Sequence, residues 1–140
     1  MQAVLLGGTL TRILLVDDSD AIRKALRRVL ENHYGWEVCG EASNGHEAVE
    51  CVQRYDPDIV LLDFKMPDMN GLEVAKRIVR LTKVPILMVT MHVSNQLATE
   101  AKKAGIRGTC AKEQIKCVVH GIETLLRHDT YFPEANLRAA

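Results

Sequence analysis

Five side chains able to do chemistry each follow a short apolar run. Asp17 and Asp18 follow Ile13-Leu14-Leu15-Val16, Asp63 follows Ile59-Val60-Leu61-Leu62, Thr90 follows Pro85-Ile86-Leu87-Met88-Val89, and Lys112 follows Gly108-Thr109-Cys110-Ala111. Three uncompensated carboxylates repel one another, so bringing them together calls for a cation. Oxygen donors with no thiol or histidine beside them favour a hard ion, Mg2+ or Mn2+. Neighbouring side chains at a strand end diverge, so of Asp17 and Asp18 one is expected to bind the ion directly and the other through water. Phosphoryl transfer needs a nucleophile in line with phosphorus and positive charge on the equatorial oxygens. An aspartate can be that nucleophile, giving an acyl phosphate. Asp63 suits the role at the end of a rigid strand, and Thr90 and Lys112 could each bind a phosphoryl oxygen.

The elements that position these groups follow from the apolar pattern. Unbroken aliphatic runs of four or five read as strands buried on both faces, and Glu37 to Ala42 reads as a further, mixed strand. Ile22, Ala25, Leu26, Val29 and Leu30 form a helical stripe opened by Ser19 as N-cap, and Ile115, Val118, Val119, Ile122, Leu125 and Leu126 form another. Shorter helices fit Gly45 to Arg54, Gly71 to Arg80 and Gln96 to Ala104, the last carrying the weakest stripe. Strand and helix thus alternate five times, which predicts an α/β domain with a parallel sheet covered by helices on both faces. In such sheets functional groups gather at the carboxyl ends of the strands. That is where Asp17, Asp18, Asp63, Thr90 and Lys112 fall.

The 140 residues suit one domain. Eighteen Lys and Arg balance eighteen Asp and Glu, and this zero net charge argues against direct nucleic-acid binding. Rings make up only 4% of the residues and are scattered, which argues against a base-stacking platform. Cys39, Cys51, Cys110 and Cys117 lack metal-clip spacing and are expected to be buried thiols in a reducing compartment. Met1 to Leu10 has no leader pattern and no run reaches membrane-span length, so a soluble cytoplasmic chain without membrane contact is expected.

In combination these segments resemble receiver domains of two-component response regulators, across about residues 12 to 128. The resemblance rests on Ile13 to Ser19, on Asp58 to Gly71 with its Asp63-Phe64-Lys65-Met66-Pro67 and Asn70-Gly71, and on Pro85 to Thr90. It implies a doubly wound, flavodoxin-like or CheY-like sheet of five strands in the order 2-1-3-4-5 with five helices. It implies Asp63 as phosphoacceptor for a sensor histidine kinase or phosphotransfer protein, Asp17 and Asp18 as the acidic magnesium pair, and the main-chain carbonyl of Lys65 as a further metal ligand. Thr90 would be the switch hydroxyl and Lys112 its charge partner, in a domain that catalyses its own phosphorylation and dephosphorylation but is not otherwise an enzyme. Lys65 and His92, two residues beyond Asp63 and Thr90, would shield the acyl phosphate from water. Residues 1–11 would be an N-terminal extension and 129–140 a tail or linker start.

Thr90-Met91-His92 and Ala104 to Gly108 resemble the NarL-like group, whose members usually continue into a DNA-binding module. The chain therefore reads as either a stand-alone receiver or the receiver part of a longer regulator, with an unknown output partner and a phosphorylation-dependent dimer as one option. The sequence departs from the family at Thr109, where an aromatic switch residue is common, and at Glu113, where the family often has proline after a cis bond. Two other readings compete: a phosphorylation-independent pseudo-receiver, and a phosphatase or phosphotransferase similar to haloacid-dehalogenase-like enzymes, whose Asp-x-Asp would follow the first strand. Arg23, Lys24, Arg27 and Arg28 on the first helix read as a solvated face or a kinase-docking surface.

Overall fold

The computed structural model describes residues 9–133. Ten elements alternate along the chain: β1 (Thr11–Val16), α1 (Asp20–Glu31), β2 (Trp36–Ala42), α2 (Gly45–Tyr55), β3 (Ile59–Leu62), α3 (Gly71–Leu81), β4 (Ile86–Thr90), α4 (Asn95–Lys103), β5 (Gly108–Ala111) and α5 (Ile115–Leu126). The strands form one parallel sheet in the order β2-β1-β3-β4-β5, which is the doubly wound α/β architecture expected from the alternation. Pro85, without an amide hydrogen, stands just outside β4, and its carbonyl accepts the Val60 amide at 3.0 Å.

Alternation along the central strands sorts side chains into two cores. Leu14, Val16, Val60, Leu62, Ile86 and Met88 point toward α2, α3 and α4. Ile13, Leu15, Ile59, Leu61, Leu87 and Val89 point toward α1 and α5. Each fully buried aliphatic side chain is worth about 1.5 to 3 kcal/mol over its exposed state, so the three central strands are the rigid base of the molecule. Helix starts are fixed locally. Ser19, Asn44, Asn70 and Ser94 each accept a main-chain N–H three residues on, at 3.2, 2.9, 3.0 and 3.0 Å, and so satisfy donors the first helical turn leaves open.

Several local expectations are corrected. The α1 stripe is narrower than the spacing suggested: Leu26 and Leu30 are buried, Ile22 and Val29 lie at its margin, and Ala25 faces solvent. On α4 it is Ala98 and Ala101 that are buried, with Leu97 partly buried against the same core, so mostly small side chains seat this helix. Of the four cysteines only Cys110 is fully buried, the others being half-buried at helix and strand margins, and no disulfide links them. The basic face of α1 is also less free than its composition implied. Arg23 and Arg27 both reach Glu41 on β2, at 2.8 Å each, leaving Lys24 and Arg28 as its exposed cations. Burial raises Glu41, but these two guanidinium groups outweigh it and leave the carboxyl below its ordinary value.

At the chain's ends, residues 1–8 of the expected extension and 134–140 of the expected tail lie outside the described residues, whereas Thr11 already belongs to β1. The described part of the tail turns back onto the sheet. Tyr131 forms a parallel bridge with Gly108 on β5, and Phe132 is 6% exposed within the α4-side core. No helix among the described residues is long and apolar enough to cross a membrane.

Candidate functional site

The site is built from the last rungs of the sheet's hydrogen-bond ladder. Asp17 N–H donates to Ala42 O at 3.0 Å, Asp63 N–H to Val16 O at 2.9 Å, and Lys112 N–H to Thr90 O at 2.9 Å. Each main chain is therefore fixed by the neighbouring strand, and the side chains leave the sheet at one common edge. Carboxylate oxygens of Asp17, Asp18 and Asp63 all lie within 4.8 Å of one another. Asp17 and Asp63 are only 3% and 4% exposed, while Asp18 is open to solvent. One of the adjacent acids is thus set into the floor of the site and the other stands at its rim.

Lys112 answers the buried charge. Its Nζ lies 2.7 Å from Asp17 Oδ2 and 3.0 Å from Asp63 Oδ2. Burial pushes the Asp63 carboxyl up, the Lys112 contact pulls it down and the neighbouring Asp17 charge pushes it up again, with a net rise. Burial likewise works against the Lys112 ammonium, but the bonds to Asp17 and Asp63 outweigh it and raise the group above its ordinary value. The other Asp17 oxygen accepts Ser19 N–H at 2.9 Å, which aims the carboxylate and opens α1 in one contact. Arg23, from the next turn, donates to the Asp17 carbonyl.

The loop from Asp63 to Gly71 is closed by Gly71 N–H on Phe64 O at 2.7 Å. A Cβ at Gly71 would stand 2.5 Å from the Asp63 carbonyl oxygen, so only glycine permits this approach. Lys65 projects outward from the loop. Lys65, Thr90, Met91 and His92 line a hollow of about 600 Å³ between this loop and α4, together with Phe64 and Leu97. The structure thus brings Lys112 into contact with Asp17 and Asp63 and sets Asp18 within 4.8 Å of both carboxylates. It sets Thr90, Lys65 and His92 on the adjoining wall, with Thr90 tied to Lys112 through the main chain. Every described peptide bond is trans, Lys112 to Glu113 included. Thr109 is fully buried, and its hydroxyl is the one buried side-chain polar atom among the described residues that lacks a hydrogen-bond partner.

One contributor was not legible as such in the sequence. Asp68 accepts the main-chain N–H groups of Gly45 at 2.8 Å, His46 at 3.0 Å and Met69 at 2.9 Å, with the His46 ring nitrogen Nδ1 at 2.5 Å. It therefore pins the loop after Asp63 to the first turn of α2. The bond from Gly45, then those from the His46 amide and ring, outweigh desolvation and hold its carboxyl well below the usual carboxylate range. Asp68→Ala is expected to lower the melting temperature by about 4 °C, in the range of a lost helix cap. Because the native carboxyl is depressed, its contribution is complete above the ordinary carboxylate value near pH ~4 and is lost as the pH falls below it. Thermal melts of both proteins from pH 7 down to pH 2 check this: the gap should close on the acid side, and a gap that persists or widens there contradicts the assignment.

A strand-end acidic cluster, a lysine seated between two of its members and a Gly-closed loop after the central aspartate now stand together, and comparison with known proteins decides the family. Residues 13–122 match the family model described as the response regulator receiver domain. The chain belongs to this family. Among curated relatives, the response regulator UvrY of Escherichia coli (strain K12) is 42% identical over 101 residues, covering 71% of this chain and 46% of UvrY. A protein-glutamate methylesterase/protein-glutamine glutaminase of Pyrococcus abyssi is 45% identical over 85 residues, covering 61% of this chain and 23% of that protein. Among solved structures, a two-component response regulator of the LuxR family from Aurantimonas sp. SI85-9A1 superposes with a TM-score of 0.88 at 30% identity, covering 94% of this chain and 99% of that one. The receiver domain therefore spans about half the length of the UvrY regulators it matches. It is a signalling domain of two-component systems, and the methylesterase match reaches less than a quarter of that enzyme.

Proposed function

We propose that this receiver domain takes a phosphoryl group onto Asp63 from a phosphohistidine of a sensor histidine kinase or phosphotransfer protein, and passes the change to an output partner. The observation that carries this reading is the Lys112 ammonium held between Asp17 and Asp63. Buried carboxylates that already recruit a cation suit a hard metal ion, and that ion and the Lys112 ammonium together would offset the negative charge a transferring phosphoryl group brings. When bound, Mg2+ would be held by Asp17, Asp18, Asp63 and the main-chain carbonyl of Lys65, and would supply charge neutralisation on the phosphoryl oxygens. Mn2+ suits the same oxygens.

The chain's own groups account for the rest. An Asp63 carboxylate oxygen attacks phosphorus, the bond from phosphorus to the donor's nitrogen breaks, and the imidazole leaves with the electron pair. Lys112 donates to a phosphoryl oxygen, which neutralises the charge that Asp63 alone would carry. The Thr90 hydroxyl, on the adjoining wall, binds another. Water must reach the acyl phosphate to reverse the change, and Lys65 and His92 on the same wall restrict its path. Lys65→Ala is therefore expected to shorten the lifetime of the phosphorylated form severalfold, measured as decay of the intact mass after the donor is removed. An unchanged lifetime removes that role.

The zero net charge leaves any DNA contact to a segment other than this one. The likeness to UvrY and to LuxR-family regulators supports a receiver that acts within, or together with, a longer cytoplasmic regulator. Incubation with acetyl phosphate and Mg2+ tests the whole reading: the intact mass should rise by one phosphoryl group. No adduct favours a pseudo-receiver that only binds, and rapid turnover of phosphate esters favours a phosphatase.

A further inference from the structure

We propose that the edge of β5 is an interaction surface for the chain's own segment Thr130–Phe132, which lies on it as a strap and is released when Asp63 is modified. The proposal rests on the phosphoacceptor reading given above.

The strap makes a paired register of its own. Tyr131 N–H donates to Arg107 O at 2.9 Å and Thr109 N–H donates to Tyr131 O at 2.9 Å, so an edge strand that would otherwise expose these groups is covered. Side chains alternate along the strap as along a strand. Tyr131 packs on the α5 side, against the core that holds Cys110, and Phe132 packs on the α4 side among Ala101, Ala104 and Ile106. Lys102 Nζ from α4 stands 4.7 Å from the Phe132 ring centroid and clasps it from above. Gly108 fits the register closely, because a Cβ there would stand 2.7 Å from the Tyr131 carbonyl oxygen.

Two features make the strap releasable. Thr109 is fully buried and, by alternation with Cys110, faces the α4 side, as Phe132 does, yet its hydroxyl has no hydrogen-bond partner. Undocking Phe132 opens a route for that hydroxyl to be satisfied, which offsets part of the apolar burial lost. Docking also orders the residues after α5, at a conformational cost of the same order as its gains. The second feature is the reach of β5 itself. This strand is four residues long, with the strap at its Gly108–Thr109 end and Lys112 immediately beyond its other end. A phosphoryl group on Asp63 Oδ2 takes the position Lys112 Nζ now bonds, so the ammonium must follow the new oxygens and draw on the end of β5. Because β5 is only four residues long, a displacement of its Lys112 end lies within a few residues of the Gly108–Thr109 pairing that holds the strap.

Hydrogen exchange by NMR on the whole chain tests this, with beryllofluoride and Mg2+ as the stand-in for the phosphoryl group and fluorine NMR to report its binding. In the resting protein the Tyr131 and Thr109 amides should be protected, and in Phe132→Ala both should lose protection while the β1–β3 ladder keeps its own. In the wild type, bound beryllofluoride should lower protection of the same two amides about tenfold or more. Bound beryllofluoride with unchanged protection overturns the coupling while leaving the phosphoacceptor reading intact. Absence of bound beryllofluoride overturns both. Sedimentation supplies the last arm: a monomer with protected Tyr131 supports a strap within one chain, whereas protection that grows with a dimer assigns the edge to a second copy and overturns the proposal.

Discussion

Lys112→Met is expected to destabilise the metal-free domain by about 3 to 5 kcal/mol, the usual cost of removing one partner from a buried ionic group. Methionine keeps most of the lysine stem's volume, so the loss isolates the charge. Lys112 Nζ bridges Asp17 at 2.7 Å and Asp63 at 3.0 Å, with a side chain only 11% exposed. Without it, two carboxylates remain in a nearly dry pocket with no counter-charge, and one must take up a proton or be exposed. Urea unfolding without divalent ions measures the effect. Adding Mg2+ should narrow the gap between variant and wild type, because a bound cation supplies the missing charge by mass action on the folded state. Equal stability of the two proteins without metal would show that the bridge contributes nothing.

Asp63→Asn is expected to abolish the acyl-phosphate adduct completely while making the metal-free domain more stable. The amide is nearly isosteric, but its nitrogen lone pair is delocalised into the carbonyl, so the side chain offers no nucleophilic oxyanion. The stability gain follows from the electrostatics. Burial and the neighbouring Asp17 both disfavour the charged form of Asp63, and the Lys112 contact only partly offsets them. Removing the charge relieves both and leaves Lys112 paired with Asp17. The gain would appear as a higher melting temperature for Asp63→Asn, which calorimetry at neutral pH would resolve. Intact mass after acetyl phosphate treatment checks the first half. An adduct that survives in Asp63→Asn would move the phosphoacceptor elsewhere.

These two substitutions act in opposite directions on stability although they touch the same oxygen. That opposition expresses how the site is balanced: the Lys112 ammonium holds it together, and the buried charges of Asp63 and Asp17 push it apart.

Much of this was written locally in the chain. The aliphatic runs Ile13 to Val16, Ile59 to Leu62 and Ile86 to Val89 leave no face for water, so they had to be central parallel strands, and the carboxyl-end rule then placed Asp17, Asp63 and Thr90 on one edge. Ser19 was legible as a helix cap because its contact lies three residues away; Asn44, Asn70 and Ser94 act in the same way. The tertiary structure alone decided the rest. Lys112 meets Asp63 across 49 residues, and Asp68 reaches Gly45 across 23. Phe132, which reads as the start of a linker, turns back to fill the core beside Ala101 and Ala104. Local pattern determines which groups a strand or helix presents, because burial and capping act over a few residues. Which of those groups become partners is set by packing, because only the closed sheet fixes the few ångströms that separate a bonded carboxylate from a solvated one.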